Sequence, residues 1–113
     1  MKVLPVLVLA ATGILGAGCF PKAAPVPGAL SPAGVAWATA RWPGATAASL
    51  TAGRDQFVAK CNGCHGYPDL PAIADDRWPA IVESMGNKAH LGAEEKDAVL
   101  HYVLASRQEQ AGR

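Results

Sequence analysis

Residues 61–65 read Cys-Asn-Gly-Cys-His, and no other stretch of the 113 residues restricts the fold so tightly. In a C-x-x-C-H run two thiols on one short turn can add to the vinyl groups of a single haem, while the adjacent imidazole reaches its iron. A bound macrocycle also bears on folding. A domain of roughly 57 residues buries too little of its own surface, and a covalently attached haem supplies much of the missing core. Two competitors use the same cysteine spacing. A zinc site needs two further ligands, and Cys19 is the only other thiol. A disulfide oxidoreductase places a strand before the motif and starts a helix at it, whereas here a helical pattern leads into Cys61. Covalent haem is the reading adopted, with a structural disulfide or a metal left as alternatives.

The N-terminus points to export. Met1-Lys2 is followed by an uncharged apolar run from Val3 to Gly18, shorter than the ~18–20 residues with which a helix crosses a bilayer. Residues 1–18 therefore read as a signal peptide. The run ends Leu15-Gly16-Ala17-Gly18-Cys19, which resembles the lipobox of bacterial lipoproteins, where small residues precede a Cys that becomes the lipidated first residue. It departs from that pattern in having Gly16, where Leu is usual, three positions before Cys19. The resemblance implies lipidation of Cys19; the alternatives are cleavage after an Ala or Gly, leaving a free thiol, and an uncleaved anchor. Lipidation accounts for the odd cysteine count, one thiol for lipid and two for haem. Several acyl chains hold a protein stably at a membrane, each buried CH2 contributing ~0.8 kcal/mol. Phe20 is not the Asp that commonly retains lipoproteins at the inner membrane, so the resemblance favours a periplasmic protein anchored at the outer membrane.

Without residues 1–18 the basic and acidic residues balance at nine each, and nothing suggests nucleic acid as a partner. Residues 19–49 form an N-terminal section. Pro21, Pro25, Pro27 and Pro32 among Ala and Gly read as an extended tether, able at ~3.1 Å per residue to hold a domain roughly 40 Å from a membrane. Ser31-Pro32 then opens a short Ala-rich helix, ended by Pro43-Gly44, whose Trp37 and Trp42 are expected to dock on the main domain.

Residues 50–113 are expected to form the haem domain. Leu50, Gly53, Phe57 and Cys61 fall at helical spacing, giving a helix over 50–60 capped by Thr51 or Ser49. A second helix is expected over 75–85, with Pro79 in its first turn, Gly86 as its stop and Trp78, Ile81, Val82 and Met85 in one stripe. A third runs from 93 to about 106, with Glu94, Glu95 and Asp97 at the positive end of its dipole and Arg107 at the negative end. No run of alternating β-branched residues occurs. The expectation is an all-α domain of three main helices around a covalently attached haem, preceded by a Pro/Ala-rich tether.

Over residues 50–107 this layout resembles the class I cytochrome c family. That family has a helix with a Gly and, four residues on, an aromatic before C-x-x-C-H, matched by Gly53 and Phe57. Its last helix carries an aromatic that crosses the first helix at the Gly, a place Tyr102 fits; a residue without a side chain lets two helix backbones approach closely. The departure is length. His65 and Met85 are only 20 residues apart, closer to small bacterial cytochromes, including subunits of haem-containing dehydrogenases, in which a W-x-x-x-V-x-x-M helix brings the second ligand. Trp78, Val82 and Met85 match it.

The resemblance implies one haem c held by Cys61 and Cys64, His65 as proximal ligand and Met85 as sixth ligand, with His90 the alternative. His65's other ring nitrogen needs an acceptor, expected to be a backbone carbonyl within 66–72. His101 is expected on the surface. With both axial positions filled and no acid-base constellation nearby, the expected role is one-electron transfer between exported or membrane redox proteins, without enzymatic activity or a small-molecule substrate. The alternatives are a haem subunit of a dehydrogenase complex, or a haem enzyme or gas sensor if the sixth position is open.

Overall fold

A computed structural model describes residues 24–61 and 66–112. The expected signal peptide, Cys19, Cys64 and His65 lie outside the described residues. Those described are all-α, with no strand among them. There are four α-helices where three main helices and one short one were expected: α1 Pro32–Arg41, α2 Ala47–Lys60, α3 Trp78–Lys88 and α4 Ala93–Ala111.

Each start has a local cause. Ser31 caps α1, its hydroxyl accepting from the Gly34 N–H at 3.2 Å, and Pro32 follows where a missing N–H costs nothing. α2 begins three residues before the expected position 50. Its cap is Thr46, which accepts from the Ser49 N–H at 3.0 Å while Ser49 Oγ accepts from the Thr46 N–H at 2.9 Å. This is a capping box with Ser in the place usually held by Glu or Gln. A 3-10 turn, Asp75–Arg77, leads into α3.

Two expected ends are corrected. Gly86 does not stop α3; it stays within the helix, buried beneath the Lys96 side chain. The stop is at Ala89–Leu91, where the His90 N–H donates to Asn87 O at 3.2 Å and the Leu91 N–H to Gly86 O at 2.8 Å. His90 there takes φ 59°, the left-handed conformation that closes a Schellman motif. α4 continues past Ser106 to Ala111 because Arg-Gln-Glu-Gln are all good helix formers. Arg107 is therefore inside the helix, its Nε donating to Leu70 O at 2.8 Å and its guanidinium paired with Asp75. It clamps the 70–77 connection to α4.

The core lies where α2 and α3 meet α4. Phe57, Leu70, Trp78, Val82, Val99, Tyr102 and Val103 form one buried cluster, and Ala38, Leu50 and Ala105 a second beneath α1. A Cβ placed on Gly53 would overlap the Ala98 carbonyl, so α2 and α4 touch backbone to backbone there. Tyr102, one turn further along α4, lies 6.1 Å from the Phe57 ring. Lys96 reaches back from α4 to Glu83 Oε1 and Asn87 Oδ1, both at 2.9 Å, and this hydrogen bond and charge hold the Glu83 carboxyl below its usual range.

Trp37 and Trp42 do dock, against the cluster that α1 shares with Leu50 and Ala105. His101 is half-buried rather than exposed: its ring stacks on Trp42 with centroids 4.4 Å apart and planes 16° from parallel. Residues 24–30 are not a free tether. The Ala24 N–H donates to Tyr67 O at 3.3 Å, Pro27 O accepts from Arg54 Nε at 3.0 Å, and Gly28 O accepts from the Tyr102 hydroxyl at 2.6 Å. Carbonyls of this Pro/Ala segment face donors on α2 and α4.

Candidate haem-binding site

Cys61 is the C-cap of α2, its N–H donating to Phe57 O at 2.9 Å. The side chain is half-buried against the core cluster, and burial pushes its thiol pKa up. Thiols that exchange disulfides have the opposite setting, a helix N-terminus and a depressed pKa. A thiol at a helix C-terminus whose pKa is raised by burial lacks the setting of a disulfide-exchanging thiolate.

Tyr67 closes the other side of the motif. Its ring stacks on Phe57 at 6.0 Å and its hydroxyl donates to Val58 O at 2.7 Å, tying the return of the chain to the last turns of α2. Leu70 is buried, and Ile73 and Ile81 are partly buried against the same cluster as Cys61. Cys61, Tyr67, Leu70 and Ile73 thus share one apolar cluster with Trp78, Ile81 and Val82 of α3.

The α3 stripe turns progressively outward. Trp78 is 1% exposed and Val82 7%, whereas Met85 is 47% exposed. Met85 is thus the most exposed residue of the stripe, with about half of its surface reaching solvent. Trp78 Nε1 is buried with no hydrogen-bond partner. An unpaired buried donor of this kind costs about 1–3 kcal/mol, so it calls for an acceptor. An apolar wall, a thiol, an exposed thioether and an orphaned N–H suit a flat apolar macrocycle with carboxylate substituents.

Cys61 and the α3 stripe thus border one cluster, and Met85 stands at its rim. His90 is exposed in the α3 end turn, its backbone already used in closing the helix. The sequence reading missed Tyr67 and the Trp78 N–H; the first could have been noticed as an aromatic two residues beyond His65, the second only from its burial. Among the described residues no three His, Cys, Asp or Glu side chains group as metal ligands, and no helix is long and apolar enough to cross a membrane. Compared with known proteins, the chain matches no family model, no curated protein and no solved structure.

Proposed function

We propose that the protein is an exported one-electron carrier, anchored by lipid at Cys19 and holding one haem c through Cys61 and Cys64. The reading is carried by the C-x-x-C-H motif, supported by the position of its first thiol at the end of α2 against an apolar wall. Haem iron supplies a reversible one-electron couple when bound. His65 and Met85 would hold the iron, and with both bound no position would be left for oxygen or substrate. Leu70, Trp78 and Val82 keep water from the inner face, and a thioether ligand in an apolar setting favours the less charged ferrous state and raises the potential. The Trp78 N–H, buried without a partner, would be available to an acceptor on the bound group.

Met85 rather than His90 would be the ligand because it continues the α3 stripe that contains Trp78 and Val82. The test is the spectrum of the oxidised, membrane-extracted protein. A far-red sulfur-to-iron charge-transfer band is expected, with no carbon monoxide binding after reduction. Met85→Ala loses the band, gains gas binding and lowers the potential. A parent protein that lacks the band and binds carbon monoxide readily contradicts the carrier reading and favours a haem enzyme or gas sensor.

A further inference from the structure

Residues 24–30 lie along α2 in reverse direction. Ala24 pairs with Tyr67, which stacks on Phe57 near the C-terminal end of α2; Pro27 pairs with Arg54 in its middle; Leu30 packs with Leu50 near its start. The chain therefore reaches its domain at the Cys61 end of α2. The other end, at Ala47, is a 14-residue helix away, or about 20 Å at 1.5 Å per residue.

The short stretch of sequence between Cys19 and Ala24 makes this directional. Residues 19–23 span at most about 17 Å when fully extended, less than half the reach of the tether that the composition suggests. Resting on the lipid anchor at Cys19 proposed above, we infer that the face carrying Cys61 and Tyr67 is held toward the bilayer, and that the redox partner it meets is an integral membrane protein with its electron-exchanging group near the lipid surface. A freely diffusing soluble carrier meets the opposite side of the domain, where α2 begins.

The experiment uses the full-length, haem-loaded, lipidated protein in phospholipid vesicles that contain a nickel-chelating lipid. Spin labels go on Asp69→Cys, two residues beyond Tyr67, or on Ala48→Cys in the first turn of α2; both positions are exposed. Nickel at the surface is expected to relax the label at 69 strongly and that at 48 weakly. A Gly-Ser spacer of about fifteen residues between Lys22 and Ala23, with a typical span of ~21 Å, leaves every described contact in place and is expected to erase the difference. Equal relaxation at the two positions in acylated, vesicle-bound protein without the spacer overturns the orientation while leaving the anchor standing. Protein that fails to sediment with vesicles, or whose Cys19 carries no acyl chains by mass, overturns the anchor and the orientation together.

Discussion

Gly53 sits in the middle of α2, where Gly ordinarily costs about 1 kcal/mol relative to Ala. The sign reverses here because an added methyl would overlap the Ala98 carbonyl, backbone that moves only if α2 and α4 separate. Gly53→Ala is expected to lower stability by about 1–3 kcal/mol, read from thermal unfolding; an increase in melting temperature would contradict the backbone contact. His90 presents the converse case. It holds the left-handed conformation without being Gly, at a cost of about 1 kcal/mol. His90→Gly is expected to raise the melting temperature by about 4–8 °C and leave the haem spectrum unchanged, whereas loss of an iron ligand would alter the spectrum at once. Gly53 and Phe57 were readable at helical spacing, whereas the crossing with Tyr102 was expected from the family resemblance and not from spacing. The helix stop at residue 86 was misread for the complementary reason. Glycine is the usual left-handed residue, but Gly86 is needed inside α3 to pass under Lys96, and the next residues end the helix without one.

Among the elements, α1 is joined to α4 through aromatic and polar contacts that no periodicity reveals. Ser31 donates its N–H to Glu109 at 2.8 Å and its hydroxyl to the same carboxylate, which ties the start of α1 to the end of α4. Arg41 lies over both indole rings, 5.3 Å from that of Trp37 and 5.9 Å from that of Trp42, while Trp42 covers His101. Burial lowers the His101 pKa, opposed by the nearby Asp97 carboxylate. The unfolded chain therefore takes up this proton first. The stability contribution is complete above about pH 6.5, the ordinary value for His, and falls as pH drops from there toward the lowered folded value. The melting temperature of the parent is expected to drop more than that of His101→Phe between pH 7 and pH 5; parallel pH profiles would contradict this. Helix caps were legible only in part. Thr46 and Ser49 form a box from residues that also suit a loop, and α4 overran its expected end because the residues after Ser106 contain no breaker before Gly112. Long-range partners of Pro27 and Gly28 could not be read at all, since a carbonyl has no sequence signature.

At the scale of the molecule, the described core is small, and apolar groups are left incompletely buried: Cys61, Tyr67, Ile73 and Ile81 are only partly buried, and Met85 is 47% exposed. The Trp78 N–H is buried among them without a hydrogen-bond partner. The motif on which the proposal of covalent haem rests is local in sequence. The wall around it is not, because it is assembled from α2, the 66–73 connection and α3. The orientation inferred above also belongs to this scale, since it follows from where the N-terminal segment meets the domain. Everything proposed for function depends on covalent haem. The most direct test is to purify the full-length protein from membranes, denature it, and extract it with acidified organic solvent. One haem per chain is predicted to stay with the polypeptide, and to be absent from protein made with Cys61→Ala and Cys64→Ala. Colour that passes wholly into the solvent, or a chain without haem, would contradict the proposal.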